Sequence, residues 1–248
     1  MGIFRWVLLP LSLIYLIITS IRNFFYNVGI FKSYSFKTPI ICVGNLSVGG
    51  TGKSPMIEHL IQLYQDDFKI AILSRGYKRN TKGFIEVKPK MTATQVGDEP
   101  LQFKRKFKHI KVYVESDRKY GIEQIEKNNP DINLILLDDA YQHRRVKAHI
   151  NILLTTYTNP FYKDFILPVG RLRESRHAKN RADLIIVTKC PDDLSSDEIQ
   201  DIKKQISADQ DQKILFSKIK YDEKIYSETE TIDLKTFDNF CLVTGIAN

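Results

Sequence analysis

Val43-Gly44-Asn45-Leu46-Ser47-Val48-Gly49-Gly50-Thr51-Gly52-Lys53-Ser54-Pro55 follows the apolar run Ile40-Ile41-Cys42-Val43 and precedes apolar residues at helical spacing, Met56, Ile57, Leu60, Ile61 and Leu63. The order is strand, glycine loop, helix. Gly-Lys-Ser at its end closes a P-loop, in which backbone N–H groups and a helix N-terminus surround phosphates. In that geometry Lys53 reaches the β- and γ-phosphates and the Ser54 hydroxyl lies on Mg²⁺. Ser47, Val48, Gly49, Gly50, Thr51, Gly52, Lys53 and Ser54 are therefore the expected nucleotide contacts. Ser47 occupies the place where the strict pattern has glycine, but the adjacent Gly49 and Gly50 still supply the conformational freedom such a turn needs.

Outward from this loop, short β-branched runs alternate with helical patterns. Lys69–Leu73, Val112–Val114, Asn133–Leu137, Ile150–Leu154, Leu184–Thr188 and Lys213–Ile219 read as strands, with helices to about Lys127 and over Leu194–Ile206. Lys78–Lys90 reads as a polar connection, and 155–181 as irregular. The alternation predicts an α/β fold, a P-loop NTPase-like, mostly parallel sheet flanked by helices, with its ligand at the carboxyl ends of the strands.

The chain has 248 residues, of which 43% are hydrophobic and 27% charged, enough apolar surface for a core. Its net charge is +8, from 37 basic and 29 acidic residues, which favours an anionic partner. The basic run Lys104, Arg105, Lys106, Lys108 and Lys111 suits phosphate groups and lacks the aromatic interleaving of a nucleic-acid module. Cys42, Cys190 and Cys241 are too far apart for a Cys-x-x-Cys zinc site, and a reducing compartment is expected.

Trp6 to Ile21 carries no charge and is bracketed by Arg5 and Arg22, with Phe24, Phe25 and Tyr26 beyond. It is short for a bilayer span, and Pro10, Ser12, Thr19 and Ser20 weaken it further. An amphipathic helix lying in the membrane interface, anchored by arginines, is the preferred reading; a buried core helix is the alternative.

Three constellations carry chemistry. Leu134–Asp139 has the form of a Walker B strand, apolar residues followed by acids, with one of Asp138 and Asp139 facing the metal and the other a neighbouring loop. Asp98, in the turn-like Gly97-Asp98-Glu99-Pro100, is either a general base for an attacking hydroxyl or an ordinary turn acid. Pro168–Glu174 carries arginines after a turn; Arg171 is placed to offset charge on a transferred phosphoryl group, while Arg173 and Arg176 read as solvated. His143, in Gln142-His143-Arg144-Arg145, either binds phosphate or satisfies a loop carbonyl. Val187–Asp192 departs from the guanine-reading loop of GTPases and reads as a strand end. From these residues, a kinase stands beside a GTPase or metallochaperone and a non-catalytic nucleotide-binding module.

Taken together, the glycine loop, Ser74-Arg75-Gly76-Tyr77, Gly97–Pro100, Asp138-Asp139-Ala140-Tyr141-Gln142-His143-Arg144 and Leu167–Glu174 resemble, in the same order, the motifs of the tetraacyldisaccharide 4′-kinase (lipid A 4′-kinase) family. Ala140 and Tyr141 depart mildly from that family's Gly and Phe. The resemblance implies transfer of the γ-phosphate of ATP, with Mg²⁺, to the 4′-hydroxyl of a lipid A disaccharide precursor. It implies a monomer at the cytoplasmic face of the inner membrane that does not bind nucleic acid. It implies Lys53, Asp98 as base, Asp139 and Arg171 in catalysis, Ser54 and Asp138 on the metal, and Arg75, Tyr77, His143 and Glu174 at the substrate. Residues 1–30 would form the interface helix, 31–220 the kinase core, and 221–248 the start of a C-terminal segment. Members of the family continue beyond Asn248 and carry there a histidine that pairs with the base aspartate.

Overall fold

Three central strands are buried at every residue. The computed structural model describes residues 7–220, 224–226, 231–233 and 236. Strand β1 (Ile40–Asn45), β2 (Ile70–Ser74) and β5 (Leu134–Asp138) are covered on both faces, which is why they read as continuous apolar runs and not as alternating ones. With β3 (Ile85–Glu86), β4 (Lys111–Val114), β6 (Ile150–Thr156), β7 (Leu184–Thr188) and β8 (Lys213–Phe216) they form one sheet in the order β3-β4-β2-β5-β1-β6-β7-β8. Every pairing is parallel except β3 on β4, at the edge. The polar connection expected over Lys78–Lys90 thus contains a two-residue antiparallel strand, too short for periodicity to reveal. A separate hairpin joins β9 (Lys224–Tyr226) to β10 (Thr231–Asp233).

Alternate residues of each strand feed opposite layers. Ile41 and Val43 pack against helix α2 (Lys53–Tyr64) through Ile57, Leu60 and Ile61. Ile40 and Cys42 face the other layer, where helix α5 (Arg118–Asn128) contributes Ile122 and Ile125. Helix α6 (Ser196–Ile206), opened by a Ser195–Glu198 capping box, covers the far end of the sheet through Ile202 and Ile206. The expected turn at Gly97–Pro100 is instead the junction of two short helices, α3 (Ala93–Val96) and α4 (Asp98–Lys106). Gly97, at φ 93°, breaks them apart, and Asp98 and Glu99 complement the N-terminal dipole of α4. Lys104 of the basic run is buried and donates to the carbonyls of Lys108 and Ile110, so the run is not wholly a surface patch.

Helix α1 (Leu9–Asn27) starts later and ends later than the uncharged run. Arg5 and Trp6 lie outside the described residues, as do Cys241 and the closing run from Phe240 to Gly245. Pro10 falls in the first helical turn, where its missing N–H removes no bond. Ser12 docks the helix, while the buried Thr19 hydroxyl bonds back to Tyr15 O and Leu16 O within it. Ser12 donates to Ile166 O at 3.3 Å and accepts from Val169 N at 3.1 Å, and Tyr15 donates to Arg173 O at 3.0 Å. Ser12, Tyr15, Thr19, Arg22 and Asn23 form one helical stripe toward the protein. Leu13, Ile14, Ile17, Ile18, Ile21 and Phe24 stand exposed, Ile18 by 61%. The helix is therefore polar inward and apolar outward, the reverse of an ordinary surface helix.

Candidate active site

The loop between β1 and α2 is braced from below. Asn45 donates through its side-chain amide to Ser47 O at 2.6 Å and Thr51 Oγ1 at 2.9 Å, while its backbone carbonyl accepts from Gln142 Nε2 at 2.8 Å. Thr188, at the end of β7, sits 2.9 Å from Thr51 O, so the stretch that reads as a strand end is a support for the loop. Val48 N donates to Arg171 O and Arg173 N to Leu46 O, clipping the loop to the 167–174 segment. Gly52 is left-handed at φ 87° and gives α2 no side-chain cap, which leaves the first-turn N–H groups open to an anion. Gly44 is required for another reason: a Cβ there would stand 2.5 Å from Tyr141 Cβ.

Above the loop lies a cleft of about 790 Å³. Its floor is Val48, Lys53, Ser74, Asp138 and Asp139; Glu99, Arg118, Gln142 and His143 enclose it; Arg75 and Tyr77 stand at its rim; and α1 closes one side with Tyr15, Thr19 and Arg22. Lys53 Nζ is 3.7 Å from Asp139 Oδ1, and Arg173 Nη1 is 3.1 Å from each Asp139 oxygen. Asp139 itself is left-handed at φ 47°, a strained conformation that turns its carboxylate toward both cations. Ser54 Oγ donates to Glu99 Oε1 at 2.7 Å.

Asp138 is 1% exposed. Ser74 Oγ donates to its Oδ2 at 3.0 Å, and its Oδ1 has no partner. Burial, then the charges of Glu99 and Asp139, push its carboxyl up to about 7. An orphaned carboxylate oxygen within reach of the charges of Glu99 and Lys53, with Ser54 bonded to Glu99, is the hard-oxygen environment that suits Mg²⁺. Among the described residues no group of three or more His, Cys, Asp or Glu could hold a metal ion. Arg118, 2% exposed, donates to Glu115 O at 2.6 Å, and burial lowers it to about 10, so it stays charged at neutral pH. His143 is lowered to about 4 by burial first and Arg118 second; it is neutral at pH 7, and Asp117 Oδ1, at 3.8 Å, is too far to bond it.

The expected residues divide. Ser54, Lys53, Asp138, Asp139, His143, Arg75, Tyr77 and Glu174 converge on the cleft or touch groups that line it. Asp98 is exposed and is not among the lining residues, whereas its neighbour Glu99 is. Arg171 is exposed and pairs with Asp164 at 3.1 Å, whereas Arg173, read as solvated, lies in the cleft on Asp139. Arg176 stays outside, donating to Asp164 O. Glu174 is 1% exposed and accepts from Arg22 at 3.1 Å, Asn23 at 3.0 Å and Arg181 at 2.9 Å, so both its oxygens are engaged in holding α1 to the core. Asn45, Glu99, Arg118, Gln142, Thr188 and the inner stripe of α1 are site residues that the sequence reading did not single out. The one signal available for them was the helical spacing of the polar residues in α1.

Comparison with known proteins fits this geometry. A family model described as tetraacyldisaccharide-1-P 4′-kinase matches residues 4–248. The tetraacyldisaccharide 4′-kinase of Flavobacterium johnsoniae is 47% identical over 250 residues, covering 100% of this chain and 73% of that protein. The same enzyme of Bacteroides fragilis is 44% identical over 255 residues, covering 99% of this chain and 68% of the relative. The crystal structure of the kinase LpxK from Aquifex aeolicus in complex with ATP superposes with a TM-score of 0.70 at 27% identity, covering 92% of this chain and 87% of that one.

Proposed function

The chain belongs to the tetraacyldisaccharide 4′-kinase family, and on that premise we propose that its cleft moves the γ-phosphate of ATP, with Mg²⁺, to the 4′-hydroxyl of a lipid A disaccharide precursor that already bears a 1-phosphate. The observation that carries this reading is the meeting of an uncapped P-loop helix, the Lys53–Asp139–Arg173 cluster and the inner face of an apolar helix in one cleft.

The phosphates bind the Ser47–Ser54 loop through the N–H groups it leaves open, Val48 N and Thr51 N being engaged by Arg171 O and Gly49 O. Lys53, oriented by Asp139, takes the β- and γ-oxygens, and Arg173 offsets charge on the equatorial oxygens of the transferring group; Arg171 would join it only on leaving its ion pair with Asp164. Ser54 and Asp138 would hold Mg²⁺, with Glu99 accepting from the Ser54 hydroxyl; when bound, the ion supplies neutralisation of the triphosphate charge. Asp98, exposed next to the cleft-lining Glu99, takes the proton of the acceptor hydroxyl as its oxygen bonds to phosphorus and the ADP oxygen leaves. Arg75, Tyr77 and neutral His143 position the sugar. Glu174 acts on substrate through α1, by fixing the wall that the helix forms.

Helix α1 carries the membrane side of the proposal. Nineteen residues, with a mean hydropathy of 1.3, are long and apolar enough to cross a membrane by length and composition. Five of its side chains are nonetheless committed to the protein, which supports a helix lying along the bilayer surface with its outer face among the acyl chains. The proposed place is the cytoplasmic face of the inner membrane, with the protein a monomer, its N-terminal helix at the interface and 31–220 its kinase core.

The test uses the full chain, γ-labelled ATP and the disaccharide acceptor in vesicles. Label passes to the lipid, and Asp98→Asn lowers kcat by about a hundredfold or more with little change in ATP affinity. An Asp98→Asn protein with unchanged turnover removes that residue as the base; a wild-type protein that labels no lipid removes the kinase reading.

A further inference from the structure

Helix α1 is bonded to the main chain of a residue at the centre of the cleft. Residues 165–174 run between this helix and the P-loop as a strap. On the loop side the strap forms a short antiparallel pairing. Val48 N donates to Arg171 O at 2.8 Å, Arg173 N donates to Leu46 O at 2.7 Å, and Ser47 and Leu172 form an antiparallel bridge. On the helix side Ser12 Oγ accepts from Val169 N at 3.1 Å, and Tyr15 donates through its hydroxyl to Arg173 O at 3.0 Å.

The strap is closed by its own bonds. Leu167 N donates to Leu172 O at 3.0 Å, Leu172 N to Phe165 O at 2.9 Å and Gly170 N to Ile166 O at 3.0 Å. It is also packed without slack: a Cβ at Gly170 would stand 2.1 Å from Phe165 O, and Leu172 is buried. A segment closed and packed in this way transmits a displacement at one side to the other instead of absorbing it.

Arg173 is therefore held at three points. Its N–H is fixed by the strand that leads into the P-loop, its carbonyl by Tyr15 of α1, and its guanidinium by Asp139, with Nη1 3.1 Å from each carboxylate oxygen. Two of these points belong to the nucleotide side of the cleft, and the helix supplies the third. An apolar helix that served only as an anchor would have no need to bond the carbonyl of this arginine. Geometry at such a residue is critical, because a misplacement of about 1 Å in a group that meets the transferring phosphoryl costs up to about a hundredfold in rate.

We propose that Tyr15 is a positioning residue for phosphoryl transfer: its hydroxyl fixes the Arg173 main chain so that the guanidinium meets the γ-phosphate. This rests on the transfer role given to Arg173 above. Helix α1 is then part of the transfer site as well as its anchor, and the γ-position of the nucleotide senses whether the helix is seated on the strap.

The test compares full-length wild type with Tyr15→Phe in nonionic micelles, first without lipid acceptor. Calorimetry measures affinity for ADP with Mg²⁺, with and without beryllium fluoride, which supplies a γ-phosphate mimic. Wild type binds the fluoride complex more tightly than ADP. Tyr15→Phe loses about three- to tenfold in affinity for the fluoride complex and none for ADP. With ATP and the acceptor, its kcat/KM for ATP falls by a similar factor. In an Arg173→Gln background, adding Tyr15→Phe costs nothing further, since the group it positions is gone. Ile18→Ser, on the outward face of the helix, leaves the discrimination between ADP and the fluoride complex as in wild type. Equal losses for the two ligands mark a general loosening and overturn the positioning role. So do undiminished discrimination in Tyr15→Phe, additive losses in the double variant, or a wild type that binds both ligands alike. The lipid-free pattern separates this role from the kinase reading: protein that shows it but labels no lipid keeps Tyr15 as a positioning residue and refutes only the acceptor.

Discussion

Replacing Asp138 by asparagine should make the nucleotide-free protein more stable at alkaline pH while disabling it. The carboxyl is 1% exposed, has one hydrogen-bond donor, Ser74, and leaves Oδ1 unpaired. Burial and the neighbouring Glu99 raise it from 3.8 to about 7. At about 1.4 kcal/mol per unit, that shift corresponds to a ceiling of ~4 kcal/mol against folding once the group is ionised. The sign follows from proton uptake. Between pH 3.8 and about 7 the folded protein holds a proton that the unfolded chain has released, so stability falls as pH rises through this window and the full penalty is present above it. Asparagine keeps an oxygen for the Ser74 hydroxyl and removes the charge, for a gain of about 2–4 kcal/mol at pH 8 that mostly disappears by pH 5. Urea unfolding of both proteins at the two pH values reads the difference directly. Turnover should fall by about a hundredfold or more, because the lost oxygen is the proposed metal ligand. An asparagine variant less stable than wild type at pH 8, or equally favoured at pH 5 and pH 8, refutes the argument that this carboxylate is held ionised at the expense of the fold.

Lys53→Ala should leave the unfolding midpoint near wild type and reduce kcat/KM for ATP by about 10²–10³; near-normal turnover would show that the loop is not a phosphate site. Glu174→Gln removes the charge on which Arg22 and Arg181 converge and should destabilise by about 3 kcal/mol, with proteolysis releasing α1 first; unchanged cleavage would mean the helix is held by other contacts. Gly44→Ala places a Cβ 2.5 Å from Tyr141 Cβ and should cost about 1–3 kcal/mol, seen as a lower denaturation midpoint with an unchanged m-value. His143, lowered to about 4, contributes stability that is lost as pH falls from the unfolded value of 6.5 toward 4; an NMR titration midpoint near 6.5 would contradict its burial.

The strands were legible because each central one is buried on both faces and so reads as a short apolar run, and the P-loop because its chemistry is local in sequence. What lay beyond reach depends on contacts between distant segments. Nothing near Arg171 or Arg173 says which arginine turns inward; the outcome is set by Asp164, which takes the first, and Asp139, which takes the second. The choice between Asp98 and Glu99 as the cleft-facing acid depends on the helical start imposed by Gly97 and on the Ser54 hydroxyl 45 residues away in sequence. Glu174 has the look of a ligand residue, yet its partners Arg22 and Asn23 lie some 150 positions earlier. The inward stripe of α1 is a different case: Ser12, Tyr15, Thr19, Arg22 and Asn23 are spaced for one helix face, and their pattern states the docking geometry to a reader who weighs the polar positions instead of discounting them.

The central claim is that this cleft joins a nucleotide site to a membrane lipid. The most direct measurement is the position of the phosphate gained by the disaccharide after one turnover with γ-labelled ATP in vesicles, read by mass spectrometry and phosphorus NMR of the extracted lipid. The account predicts one new phosphomonoester on the 4′-hydroxyl, absent with Lys53→Ala. Label recovered only as inorganic phosphate, at a rate indifferent to the lipid, would contradict it.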